Sequence, residues 1–235
     1  MLRTLITLAL ASSLSAQVTY YSAKLDAQQE VPPTASSAVG YGIVRIEEPA
    51  NSVRIWVHHV GLSGAPTSGH LHQGAVGANG GIIAVMTAAA GTNVMSGSAT
   101  LSAAQIALIK SGNTYLNLHT ATLPGGEIRG QVVAPVSTRL EAELDGAQEV
   151  PPTSSTATGR AIAFLHEPDN RLVYCVETTG LGAVTAGHVH RGAVGTNGAI
   201  MVPMVGSGGT FCGVSDILSA ADAALVLAGD TYTNV

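Results

Sequence analysis

Leu25-Asp26-Ala27-Gln28-Gln29-Glu30-Val31-Pro32-Pro33-Thr34 returns 119 residues later as Leu144-Asp145-Gly146-Ala147-Gln148-Glu149-Val150-Pro151-Pro152-Thr153. Further along, Gly69-His70-Leu71-His72-Gln73-Gly74-Ala75-Val76-Gly77-Ala78-Asn79-Gly80 returns as Gly187-His188-Val189-His190-Arg191-Gly192-Ala193-Val194-Gly195-Thr196-Asn197-Gly198, at an offset of 118. Leu101-Ser102-Ala103-Ala104 returns as Leu218-Ser219-Ala220-Ala221. Solenoid repeats run about 20–50 residues, so a period this long is a whole domain. The chain therefore reads as two domains of one kind in tandem, over 18–133 and 139–235, with a linker at 134–138. Its 235 residues are enough for two cores.

Each repeat reads as many short strands. Val18 to Leu25 alternates around Tyr21, Ala23 and Leu25, and Pro32-Pro33 ends it, because proline donates nothing to a ladder. Gly40 to Glu47, Val53 to Val57, Gly69 to His72, Ile82 to Met86, Tyr115 to His119 and Glu127 to Val133 are further runs between turn signals. One short helix per repeat follows from a capping box at Ser102 and Gln105 with a stop at Gly112, matched by Ser219, Asp222 and Gly229. The predicted fold class is all-β: two Greek-key β-sandwiches, each with one short helix. Tyr232-Thr233-Asn234-Val235 matches Tyr115-Leu116-Asn117-Leu118, so the second copy is expected to be C-terminally truncated.

Charged residues are 11% of the chain and the formal net charge is −5, which leaves no basic footprint for nucleic acid. Residues 1–16 read as a signal peptide: Arg3 precedes the apolar run Leu5 to Ala11, and Ser13-Leu14-Ser15-Ala16 supplies small residues for cleavage. That run is shorter than the about 20 residues a membrane span needs, so no span is expected after signal removal. The predicted location is secreted or periplasmic. Export permits a disulfide between Cys175 and Cys212, the only cysteines. Two buried free thiols are the alternative.

Residues two apart on a strand face the same side. His70 and His72 thus project together, as do Asn117 and His119, and as do Glu127 and Arg129. Imidazoles presented this way suit Zn or Cu, with Glu127 and Arg129 as ligand or orienting groups. In the second copy His188 and His190 remain while Leu71 has become Val189 and Gln73 has become Arg191. The other reading has these histidines hydrogen-bonding the backbone of the Gly-rich turn. Glu30 and Glu149 read as turn residues accepting backbone N–H bonds, with ligand or partner contact as the alternative. His58, His59 and His166 read as surface residues.

The Leu-Asp-x-x-Gln-Glu-Val-Pro-Pro and Gly-His-x-His-x-Gly-Ala-x-Gly-x-Asn-Gly stretches, Tyr115-Leu116-Asn117-Leu118-His119-Thr120 and Pro124-Gly125-Gly126-Glu127-Ile128-Arg129-Gly130-Gln131 together resemble the CHRD (chordin-type) domain family. The resemblance covers one complete and one truncated copy. It implies extracytoplasmic location and an immunoglobulin-like β-sandwich, with no general biochemical activity. The family is also similar to copper/zinc superoxide dismutases, and His70, His72 and His119 resemble three copper ligands of that fold. No residue here matches the bridging histidine or the zinc loop. Three functions compete: an exported, non-enzymatic module binding an unknown protein or surface ligand; an extracytoplasmic protein binding copper or zinc through His70, His72 and His119, with an incomplete set at His188 and His190; and a dismutase-like redox enzyme.

Overall fold

The structure, a computed structural model, describes residues 17–89, 92–134, 138–166 and 170–235. Residues 1–16, where a signal peptide is expected, lie outside the described residues, as do linker residues 135–137.

The first repeat runs β1 (Gln17–Asp26), β2 (Val39–Glu48), β3 (Ser52–Val60), β4 (Pro66–Gln73), β5 (Ile82–Ala88), β6 (Val94–Thr100), α1 (Ala103–Lys110), β7 (Thr114–Thr120) and β8 (Ile128–Gln131). Its antiparallel ladder closes into an eight-stranded barrel in the order β1-β2-β3-β6-β5-β4-β7-β8. The order β3-β6-β5-β4 is a Greek key, since β6 returns beside β3 after two hairpin connections. Closure leaves no free sheet edge. Inward residues alternate along each strand, and Leu25, Val44, Ile55, Leu71, Leu116 and Ile128 fill the barrel. Helix α1 carries the expected capping box, Ser102 with Gln105, and buries Ile106 and Ile109.

The second repeat runs β9 (Thr138–Asp145), β10 (Thr158–His166), β11 (Arg171–Thr179), β12 (His188–Arg191), β13 (Ile200–Pro203), β14 (Gly206–Ser207), β15 (Thr210–Val214), α2 (Ala220–Ala228) and β16 (Thr231–Asn234). It forms two sheets, β14-β15-β11-β10-β9 and β13-β12-β16, around Leu165, Tyr174, Val176, Val189 and Phe211. Both repeats are thus all-β with one α-helix each. No helix among the described residues is long and apolar enough to cross a membrane.

A third apolar cluster joins the repeats. Tyr20, Tyr41, Ile43 and Trp56 meet Ile162, Phe164, Val173, Cys175 and Cys212. These are outward positions of β1–β3, β10, β11 and β15, so the strands bury both faces. An ion pair between Arg54 and Glu177 crosses the same junction. Cys175 and Cys212 face each other across β11 and β15 and form a disulfide with Cα atoms 4.0 Å apart. The corresponding pair in the first barrel is Trp56 opposite Ser96.

His58 and His59 are not surface residues. Neighbours on a strand point to opposite faces. His59 turns into the barrel end and is 6% exposed. His58 turns toward the second repeat, where burial, and then the charges of His59 and Arg171, push its pKa down to about 4. Both faces of β3 are covered, so neither ring reaches bulk water freely.

Candidate metal centre

Strands β4 and β7 are neighbours, with His70 opposite Asn117, His72 opposite Tyr115 and Ser68 opposite His119. Leu71, Leu116 and Leu118 point into the barrel and are fully buried. His70, His72, Asn117 and His119 therefore share its outer face. Two glycines fix the local path. A side chain at Gly69 would strike Leu118, Met86 and Met95 inside the barrel, and Gly187 is crowded the same way by Met204 and Phe211. A side chain at Gly80 would collide with the Gln73 carbonyl, and one at Gly198 with the Arg191 carbonyl, so the loop after each His-x-His lies flat on its own strand.

The three histidines converge. One nitrogen from each of His70, His72 and His119 lies within 4.8 Å of the others. His70 Nδ1 is 3.0 Å from His119 Nε2. Nitrogens that share one ion at about 2.0–2.1 Å lie roughly 3–4 Å apart, so small side-chain rotations would complete the set. The backbone assigns the tautomers. His72 Nδ1 donates to the Gly80 carbonyl at 2.9 Å, and His119 Nδ1 donates to the Pro124 carbonyl at 3.0 Å. Each therefore carries no proton on Nε2, and the Nε2 of His119 accepts from His70 Nδ1. His72 Nε2 is buried with no hydrogen-bond partner. Burial lowers the pKa of all three rings; the charges of the other two add to this at His70, while the carbonyl bonds of His72 and His119 oppose it. Neutral imidazoles are the form that ligates metal.

Behind the histidines lies a buried polar layer. Asn117 is 3% exposed and donates from Nδ2 to Glu30 Oε1 at 2.5 Å. Burial raises the Glu30 pKa to about 7, against the pull of Arg129, Asn117 and the Val31 backbone. Arg129 is 1% exposed and donates to Asn79 Oδ1, Ala75 O and Ala78 O at 3.1, 3.2 and 2.9 Å. Asn79 in turn donates to the Val31 carbonyl at 2.9 Å. The two most strongly repeated motifs of the sequence, some 40 residues apart, thus meet in space.

Glu127 corrects an expectation. It does not share a face with Arg129 and does not point at the histidines. Strand β8 begins one residue later, and the Glu127 carboxylate turns into the barrel end. There it accepts from Ser63 N and Ser63 Oγ at 2.7 and 2.6 Å, Ser36 Oγ at 2.8 Å and Thr120 Oγ1 at 2.6 Å. Burial raises its pKa, and these four donors together bring it below the usual carboxylate value. Glu30 is not the expected bearer of backbone bonds alone: its main side-chain partner is Asn117.

The second repeat holds the same half-site. His188 and His190 stand at 5.6 Å between ring centroids, against 5.4 Å for His70 and His72. His190 Nδ1 is 2.9 Å from the Gly198 carbonyl, and Asn234 donates to both Glu149 oxygens at 2.9 and 3.0 Å. The residues matching His119 to Val133 are not part of this sequence.

Sequence reasoning missed Tyr115. Its ring stacks on His72 at 4.8 Å and 3°, and the Arg129 guanidinium lies over it at 3.5 Å. The usable signal was its recurrence as Tyr232, which stacks on His190 at 4.9 Å and 11°.

No curated protein and no solved structure matches the chain. The family model for the CHRD domain matches residues 21–132 and again residues 140–235. That is most of the sequence, divided as the internal repeat divides it, and the chain belongs to the CHRD domain family, with two copies in tandem.

Proposed function

We propose that the first repeat is a non-enzymatic module that binds one copper or zinc ion through His70 Nδ1, His72 Nε2 and His119 Nε2, on a protein exported to the periplasm or exterior. The observation that carries this is the buried, partnerless Nε2 of His72 beside two further imidazole nitrogens. Leaving a buried polar atom unpaired costs about 1–3 kcal/mol, which a bound ion offsets. A bound ion would supply Lewis acidity at a position partly open to solvent. The Gly80 and Pro124 carbonyls hold two rings in the ligating tautomer, as acceptors do in metal sites generally. Among the described residues the cluster has three ligands and no fourth histidine, cysteine or carboxylate. This supports a single-ion site rather than a bridged copper–zinc pair. Metal analysis of protein purified without a histidine tag tests the reading. About one equivalent of copper or zinc per chain is expected, and superoxide turnover by the copper-loaded protein would replace the non-enzymatic assignment with a redox one.

A second reading is supported by the loops beside the two sites. Val76 is 81% exposed and Val194 is 100% exposed, each at the tip of a loop held down by hydrogen bonds. The same exposed valine on the same loop in both copies gives two matched points of contact for an unknown protein or surface ligand. Substituting both with Ser and leaving the histidines intact separates surface attachment from metal binding.

A further inference from the structure

The metal centre has a clamp that its three ligands do not themselves provide. His72 has two rotational freedoms that matter, the direction of Nε2 and the tilt of the ring plane. The hydrogen bond from Nδ1 to Gly80 O, 2.9 Å, fixes the first. The stack on Tyr115, 3° from parallel, fixes the second. Tyr115 Oη accepts the Gly80 N–H at 3.2 Å, so one residue, Gly80, ties the two devices together. On the Tyr115 ring lies the Arg129 guanidinium, which is itself held by Ala75, Ala78 and Asn79. The second repeat builds the same unit from His190, Gly198 and Tyr232, with the Gly198 N–H bonded to Tyr232 Oη at 3.1 Å.

We propose that Tyr115 and Arg129 are positioning residues for this centre: their stack sets the plane of His72 so that its Nε2 faces the ion. The proposal rests on the metal reading above. Removing groups that orient a metal-ligating histidine typically weakens affinity about 10–100-fold.

The test uses Cu(II) and Zn(II) on the full chain, with wild type, His119→Ala, Tyr115→Phe and Tyr115→Leu. Competition titration gives affinity, electron paramagnetic resonance of the Cu(II) forms gives ligand geometry, and circular dichroism reports folding. Tyr115→Phe keeps the stack and is expected to bind within about fivefold of wild type, with the same copper spectrum. Tyr115→Leu is expected to bind more than about fivefold more weakly, with a changed spectrum, while still folded. If wild type binds no better than His119→Ala, the metal reading fails and the clamp with it. If wild type binds well and Tyr115→Leu stays within fivefold with an unchanged spectrum, the clamp alone is overturned. Should Tyr115→Leu not fold, Arg129→Lys keeps the charge and removes the planar face, and the same criteria apply to it.

Discussion

His70 Nδ1 stands 3.0 Å from Nε2 of His119. Because His119 commits its Nδ1 proton to the Pro124 carbonyl, its Nε2 is the acceptor and His70 Nδ1 the donor. A proton therefore occupies the line between two nitrogens that a metal would share. His70 can ligate through Nδ1 only by carrying its proton on Nε2 instead, a change of tautomer without change of charge.

This has a consequence for pH. Burial depresses the pKa of His70, His72 and His119 below the ordinary histidine value of 6.5. Protonation competes with metal only once pH falls through those lowered values. Zn(II) affinity should be nearly constant from about pH 8 to about pH 6.5 and fall steeply below. Competition titrations across that range check it; a tenfold loss between pH 8 and pH 7 would point to rings that are not buried as described.

Glu30 should give the opposite slope in folding stability. Its pKa rises from 4.5 to about 7 on folding, so the folded protein binds more protons between those values. Its contribution is complete below about pH 4.5 and is lost as pH rises through about 7. Glu30→Gln does not titrate, and relative to wild type it should gain up to about 3 kcal/mol between pH 4.5 and pH 8. Urea unfolding of both proteins at several pH values measures the difference. A constant difference would mean that Glu30 is ionised throughout.

Glu127 is a stability residue. Its carboxylate is fully buried and takes four hydrogen bonds from Ser36, Ser63 and Thr120. Glu127→Ala strands those donors in the barrel end and should cost about 3 kcal/mol or more, with metal affinity retained wherever the domain is folded. Loss of metal binding in a folded Glu127→Ala protein would return it to the site.

The disulfide should act chiefly on the second repeat, whose strands β11 and β15 it joins. Cys175 and Cys212 are 37 residues apart in sequence. Closing a loop of that length constrains the unfolded chain, and Cys175→Ala with Cys212→Ala should destabilise the second repeat by about 2–4 kcal/mol. Calorimetry should show its transition moving down while metal binding by the first repeat is unchanged.

Much of this was legible in the sequence. Strand β1 announces itself by period-two alternation and the other runs by the turn signals around them, and the shared face of His70 with His72 and of Asn117 with His119 follows from the period of two. Strand β6, Val94-Met95-Ser96-Gly97-Ser98-Ala99-Thr100, does not. Its side chains are mostly small, and Gly97 is required because the Val85 backbone passes directly over it. The junction between repeats was hidden for a related reason. Tyr20, Ile43 and Trp56 lie at outward positions that alternation assigns to solvent, and only the second repeat explains their burial. His58 was misread for that cause too, whereas His59 is buried in the end of its own barrel. Within the site, Tyr115 reads as one more apolar strand residue. Its stacking depends on the backbone of Gly80, in a loop 35 residues earlier, and on Arg129 of the neighbouring strand, a meeting that no local pattern reveals.

The first repeat is expected to hold one metal ion through His70, His72 and His119. Titration of untagged protein with Cu(II) or Zn(II), beside His119→Ala, tests it most directly. One tight site per chain is predicted, with at most one weak site at His188 and His190, and His119→Ala should remove the tight site without unfolding the barrel. No tight site, or a tight site that survives His119→Ala, would contradict the account.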